Sequence, residues 1–396
     1  MKAGDIMKCA SVYTYEIDNA AVALEEIKAQ LDRKMILQRH TVGIIMCHPE
    51  FIGSGTLKFI CDGLPFDIAG VTTAAQAIND EAGELLLTIF IMTSNDAYFK
   101  TGVTGCLNDD IYSSVKASYT EAAGVINETP KLALIFPPIM SKFSGDSYVE
   151  AWQRCLPGTP IFGTLAMDDT PNFEDSETIY NGDTYKDAIP FVICYGDINP
   201  RFMIATIPED KTTPYKGEIT SSAGSRVKEI NGMNAYRYFE SIGFEKNGES
   251  TVNYLFLPFL IDQKTRPDYD GIPVIRVLSS FIDEGTAVFH GDVDEGSTFT
   301  LLKCEPDDVI ATKDQVIDEL KNMSDVNGAL LFSCVVRRIV TMGENQNAGI
   351  EYVMETMAHD IPFMMGCAGG EICPTVSENG VLTNRYHNYS LIILVI

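Results

Sequence analysis

Apolar runs of strand length alternate with helical periodicity along this chain, and the pattern is densest near its end. Ala329-Leu330-Leu331-Phe332-Ser333-Cys334-Val335-Val336 is an apolar run that stops at Arg337-Arg338. Such a run predicts a strand buried on both faces. Ile350, Val353, Met354 and Met357 then recur at i, i+3, i+4, i+7, the spacing of one helix face. A second apolar run, Pro362 to Ile372, breaks on Gly366, Gly369 and Gly370. An Asn379-Gly380 turn leads to a closing strand, Tyr389 to Ile396. The unit reads strand, helix, strand, hairpin, strand.

The same order occurs twice upstream. Its first instance follows a strand (Ala10 to Ile17) and a helix capped at Asp18 or Asn19, with Ala20, Leu24, Ile27 and Leu31 on one face. It then runs through a strand Thr41 to Cys47, a helix near Gly55 to Gly63, a glycine-bearing strand Phe66 to Thr73, and a closing strand Leu85 to Met92. The second instance has a helix lined by Val115, Tyr119, Ala122 and Ile126, then a strand Leu132 to Phe136 and a helix Asp146 to Cys155. Its glycine-bearing strand is Pro160 to Asp169, and an Asn181-Gly182 hairpin leads to Pro190 to Tyr195. Asn-Gly favours the type I′ turn that matches strand twist. On this reading Gly70, Gly163 and Gly366 occupy matching places.

The stretch 208–225 is rich in Thr, Ser, Gly and Pro and reads as a linker between domains at 1–207 and 226–396. The second domain begins with a hairpin at Asn231-Gly232 and a helix near Ala235 to Ser241. Strands follow at Tyr254 to Leu260, Val274 to Phe281, Thr286 to Phe289 and Thr298 to Leu302, then a helix from Pro306. The expected fold is α/β: mixed sheets flanked by helices, in two related domains built from one degenerate unit.

Bulk properties narrow the function. A chain of 396 residues with 55 acidic and 29 basic side chains carries a formal charge of −26. That surface repels nucleic acid and anionic lipid, so neither is an expected partner. No apolar run reaches the roughly 18 residues of a membrane span, and Met1 to Asp5 lacks the apolar core of a signal peptide. Of ten cysteines, Cys47, Cys194 and Cys334 sit inside apolar runs, the setting of reduced, buried thiols in a cytoplasmic protein. Cys367 and Cys373 are too far apart for a CxxC motif, and no cofactor or metal is expected.

Ligands of mixed α/β domains meet the loops at the carboxyl ends of strands. Those places hold Thr72-Thr73, Asp168, Arg337-Arg338 and Gly369-Gly370-Glu371. Strand alternation would put Ser333 and Arg337 on one side, Cys334 and Arg338 on the other. An arginine fork suits a carboxylate, Glu371 suits an ammonium, and Gly366, Gly369 and Gly370 permit close backbone approach. His387 stands at the start of the last strand. No phosphate-loop, GxSxG or HExxH pattern is present.

These segments also carry a resemblance. "LLFSCVVRR", "MMGCAGGEICP" and "HNYSLIILVI" resemble the end of a FIST C-terminal domain, and "FHGDVDEGSTFTLL" and "RVKEINGMNAY" its earlier parts. Residues from about Thr41 to about Ile207 are similar to a FIST N-terminal domain. The resemblance implies an intracellular sensory module for a small ligand such as an amino acid. It implies a separate output protein, a kinase or cyclase, since such outputs are often joined to FIST modules and none is expected within this sequence. A cysteine-dependent hydrolase using Cys334 or Cys47, and a haem-binding sensor, are the alternatives.

Overall fold

A computed structural model describes residues 7–124, 126, 128–170, 173–208, 210–243, 258–266, 271–283, 285–341, 361–377 and 379–396. The helix expected over Ile350 to Met357 and the first part of the strand expected at Tyr254 to Leu260 lie outside the described residues.

The first unit comprises β1 (Lys8–Thr14), α1 (Ala20–Lys34), β2 (His40–Cys47), α2 (Glu50–Gly53), α3 (Thr56–Asp62), β3 (Asp67–Thr72), the hairpin β4 (Ala75–Ile78) and β5 (Ala82–Gly83), and β6 (Leu87–Ser94). The second repeats it: β7 (Ala97–Val103), α4 (Ile111–Ala123), β8 (Leu132–Ile135), α5 (Gly145–Cys155), β9 (Ile161–Thr164), hairpin β10 (Thr178–Tyr180) and β11 (Asp183–Tyr185), and β12 (Pro190–Gly196). The third opens with β13 (Arg201–Ala205) and is then interrupted by an insertion. The insertion holds β14 (Thr212–Ala223), β15 (Arg226–Ile230), β16 (Met233–Asn234), α6 (Ala235–Ser241), β17 (Phe259–Asp262), β18 (Val274–Arg276), β19 (Leu278–Ile282), β20 (Thr286–Phe289) and β21 (Thr298–Leu302). The third unit resumes with α7 (Pro306–Lys321), β22 (Ala329–Cys334), α8 (Val335–Thr341), β23 (Phe363–Ala368), hairpin β24 (Glu371–Val376) and β25 (Leu382–His387), and β26 (Leu391–Val395).

Each unit builds four strands of a six-stranded sheet and lends its hairpin to another. The strand orders are β1-β6-β2-β3-β10-β11, β7-β12-β8-β9-β24-β25 and β13-β26-β22-β23-β4-β5. The second unit's hairpin thus completes the first sheet, the third's the second, and the first's the third. In each sheet the central pair is parallel and its neighbour antiparallel. Backbone hydrogen bonds lock the three crossings: Ala74 N to Cys367 O at 3.0 Å, Met167 N to Thr72 O at 3.0 Å, and Gly369 N to Leu165 O at 3.2 Å.

Alternation explains why the sheets close on one another. Residues pointing inward, such as Met46, Phe90, Leu134, Phe162, Phe332 and Ile392, form one shared core. Outward residues are covered by α1 and α3 on the first sheet, α4 and α5 on the second, and α7 on the third. Trp152 of α5, wholly buried, packs edge-on to Phe191 with centroids 5.0 Å apart. Burying a side chain of that size contributes about 1.5–3 kcal/mol, so the helices are held by tertiary packing more than by intrinsic propensity. Asn181 and Gly182 both have positive φ, 50° and 79°, as the expected type I′ turn requires.

Three expectations change. The segment 208–225 is not a linker: β14 occupies 212–223 and pairs with β15 and β21 in an eight-stranded sheet. Its alternating Thr, Ser and Gly suit a strand with one face in solvent, which looks like a linker when only large apolar residues are sought. A boundary at 207 also separates strands that are hydrogen-bonded to each other, since β13 pairs with β26 and β9 with β24. Second, the apolar run at 329 turns helical at Val335, so Arg337 and Arg338 lie on α8 and strand alternation does not apply to them. Third, Gly366 is one position out of step with Gly70 and Gly163. Thr178 pairs with Val71, Glu371 with Thr164 and Gln76 with Gly366, and the three crossing hydrogen bonds end one residue further on, at the carbonyls of Thr72, Leu165 and Cys367. The residue that matches Gly70 and Gly163 is therefore Met365. A Cβ at Gly70 or Gly163 would collide with the carbonyl of Ile45 or Ile135, whereas one at Gly366 would collide with Met46 in the shared core.

Candidate functional site

The lent hairpins define three matching buried positions, Gln76, Thr178 and Glu371, each wholly removed from solvent. Thr178 is satisfied locally, its Oγ1 donating to the carbonyls of Tyr185 and Ala188, whereas Gln76 Nε2 donates to Thr73 and its Oε1 has no partner among the described residues. Only the third unit places an ionisable group there. Glu371 Oε2 accepts from Ser390 Oγ at 2.7 Å, the Cys334 thiol hydrogen-bonds the same carboxyl, and Oε1 has no partner among the described residues. Burial pushes this carboxyl well above the usual range, against the pull of Ser390 and Arg337. Tyr389, next to Ser390, holds φ at 61°, an uncommon setting for a bulky residue. The other two units fold without such a cluster, so the fold itself does not demand it.

The structure thus brings together Cys334, Glu371 and Arg337 from the expected set, with Gly369 and Gly370 beside them. Arg337 is a brace here: its guanidinium donates to Tyr389 O (3.2 Å), Val309 O (3.0 Å) and Thr312 Oγ1 (3.2 Å), tying α8 to α7 and to the last strand connection. Arg338 pairs with Glu84, just past the second strand of the lent hairpin. Gly370 has φ of 131°, and a Cβ there would strike the hydroxyl of Tyr386, which donates to Gly369 O at 3.2 Å. His387 is buried with Nε2 3.0 Å from Cys373 O, and desolvation lowers it to about 4. Ser333 is buried at the end of β22. Thr72, Thr73 and Asp168 serve the crossings. Thr72 Oγ1 exchanges hydrogen bonds with the Glu177 backbone, Thr73 accepts from Gln76, and Asp168 accepts from Thr170 N and Asp175 N to close its loop.

On the far side of the Tyr386 ring, which is clasped between Gly145 and Gly370, lies a cavity of about 580 Å³. It opens where α5, β25 and the insertion meet. Its centre of charge is Asp146 at the start of α5, 6% exposed. Arg276 of β18, fully buried, reaches both oxygens of Asp146 at 2.9 and 3.1 Å. Arg266 adds a contact at 3.2 Å and the Asp292 backbone N–H another at 2.8 Å. Burial and the Asp146 charge push the Asp292 carboxyl up to about 6. Arg154 and Arg385 complete the cationic lining. Sequence reasoning missed this cavity. Its four arginines come from four separate segments, and no local spacing links them.

Three cyclically exchanged α/β units, a polar centre in one of them and a ligand-sized cavity at its edge define a ligand-binding module. The chain belongs to the FIST family: the FIST N domain matches residues 41–233 and the FIST C domain residues 235–374. FIST domains are small-ligand-binding sensory domains of signal transduction. A stretch of 192 residues, 46% of this chain, is 27% identical to Uncharacterized protein MJ1623 of Methanocaldococcus jannaschii, and covers 36% of that protein. The match therefore spans about a third of that relative's length. Among the described residues, no helix is long and apolar enough to cross a membrane.

Proposed function

We propose that this protein is a cytoplasmic sensory module that binds a small carboxylate, such as an amino acid or a small organic acid, without catalysis. A separate kinase or cyclase reads its state. The observation that carries the reading is the cavity beside Tyr386. Its volume falls within the range of small-molecule sites, and arginines dominate its charged lining. The ligand's place moves accordingly, from the Arg337-Arg338 turn to this cavity, because Arg337 and Arg338 already hold protein partners. A binding role is favoured over thiol hydrolysis because burial pushes the Cys47 and Cys334 thiols far above neutral pH, where almost no thiolate exists.

A thermal-shift screen of amino acids and small organic acids tests this. At least one compound should raise the melting temperature in proportion to the logarithm of its concentration. A flat response across the screen would remove the ligand-binding reading and leave a protein-interaction role as the better account.

A further inference from the structure

We infer that the cavity at the junction of α5, β25 and the insertion is a slot for a short extended peptide, which adds a strand to the open edge of β25. The inference rests on the sensory reading and names its ligand, since the C-terminus of a free peptide makes it a small carboxylate. Charge does not select the occupant here. With Asp292 and Asp294 counted beside Asp146 and Glu150, four carboxylates meet the four guanidiniums of Arg154, Arg266, Arg276 and Arg385. Arg276 is bonded to Asp146 and to three backbone carbonyls, and Arg266 is held between Asp146 and Asp294. What the cavity still offers is backbone.

The direction of that backbone follows from the ladders on either side of β24. Leu165 N donates to Gly370 O, which turns Gly370 and then Ile372 toward β9. Strand alternation turns Glu371, Cys373 and Thr375 the other way, onto their β25 partners His387, Arg385 and Thr383. Leu382, Asn384 and Tyr386 therefore aim their N–H and C=O groups away from β24, and all three line the cavity. Tyr386 O confirms the direction by accepting from Arg276 Nη1 at 3.1 Å. Among the described residues, Leu382, Asn384 and the Tyr386 N–H have no hydrogen-bond partner on that side. Asn384 and Tyr386 are 5% and 3% exposed, and enclosed backbone groups are nearly always paired.

Other edges of the frame are closed. On the edge strand β1, the Gln30 side chain takes both Tyr13 N–H (3.1 Å) and Tyr13 O (2.7 Å), and Lys34 takes Ser11 O. The outer strands of the other two lent hairpins, β5 and β11, have two and three residues, whereas β25 has six. Short or blocked edges prevent unwanted pairing. A long edge left open beside a ligand-sized cavity is the arrangement that strand addition uses. Leu382 to Tyr386 spans about 13 Å at the usual rise per residue, room for roughly four peptide residues. Val149 of α5 and Val274 of β18 offer apolar wall to the added strand's side chains.

The test is isothermal titration of the full chain with free tetrapeptides that alternate valine with threonine, glutamate or lysine, in both orders. The constituent amino acids and succinate are titrated alongside. At least one tetrapeptide should bind about tenfold or more tightly than its own amino acids, since two added backbone hydrogen bonds correspond to at least roughly that factor. Two N-methylated forms of that peptide, blocked at alternate amides, should then differ. The form blocked on the side facing β25 should lose about tenfold, and the other should bind as the parent does. Amide hydrogen exchange followed by nuclear magnetic resonance gives a readout on the protein itself. In the free chain Asn384 and Tyr386 should exchange faster than Thr383 and Arg385, and saturating peptide should slow Asn384 or Tyr386 about tenfold. Three outcomes overturn the inference: no tetrapeptide exceeds its amino acids; both N-methylated forms bind as the parent does; or exchange at Asn384 and Tyr386 ignores the peptide. If succinate or an amino acid binds while no tetrapeptide does better, the sensory reading stands and this inference alone falls.

Discussion

His387 should make stability fall steeply in mild acid. Its imidazole is buried beside Cys373 O, and desolvation, reinforced by Arg276 and Arg385, lowers its pKa from 6.5 to about 4. A folded-state pKa below the unfolded one means that the unfolded chain takes up a proton first as pH drops. The contribution is therefore complete above 6.5 and is lost as pH falls through about 4. Linkage over that interval gives a loss of about 2 kcal/mol between pH 7.5 and pH 5, and about 3 kcal/mol in total. Asp292 works the other way. Its carboxyl is raised from 3.8 to about 6, so it costs stability as pH rises through that window. The wild-type profile mixes the two, and a variant separates them. His387→Gln keeps an N–H donor for Cys373 O and removes the titration. In urea unfolding followed by circular dichroism, the wild-type advantage over His387→Gln at pH 7.5 should shrink by about 2 kcal/mol at pH 5. A difference that stays constant from pH 7.5 to 5 would refute the buried neutral imidazole.

Three further outcomes follow from the packing. Asp146→Asn leaves the fully buried Arg276 guanidinium without its counter-charge and should cost about 3–5 kcal/mol in chemical denaturation; a loss under about 1 kcal/mol would contradict the hub. Gly163→Val drives a side chain into the Ile135 carbonyl and should cost well above about 3 kcal/mol or abolish folding, whereas Gly53→Ala, in open space on α2, should stay within about 1 kcal/mol; equal effects would refute the assigned strand contact. A thiol reagent at neutral pH should modify exposed Cys106 first, while Cys47, Cys194 and Cys334 react only on unfolding; rapid labelling of Cys334 would revive the nucleophile reading.

Much of the architecture is legible along the chain because it is local. Apolar runs mark the parallel strands, and Asn181-Gly182 and Asn231-Gly232 mark hairpins through a backbone requirement that few other residues meet. The unit itself is legible for the same reason. The exchange of hairpins is not. Nothing in Ala75–Ile78 tells which sheet it will join, because every candidate neighbour offers the same backbone ladder and an equally apolar face. The buried cluster is half legible: Glu371 and Cys334 stand out as polar residues among apolar ones. Ser390, their link, looks like an ordinary strand residue. Arg337 and Arg338 illustrate the opposite error, since a charged pair after an apolar run suggests a solvent-facing strand end. Here one is enclosed by carbonyls and the other by Glu84. The Arg154, Arg266, Arg276 and Arg385 cavity is invisible in one dimension, because only the docking of the insertion against α5 and β25 assembles it.

The most direct test of the account is a crystal structure of the protein with whichever small acid gives the largest thermal shift. The account predicts density in the cavity beside Tyr386, with Asp146 still bonded to Arg276. Density in any other cavity, such as the one lined by Tyr13, Tyr15 and Glu26, with the space beside Tyr386 empty, would contradict it.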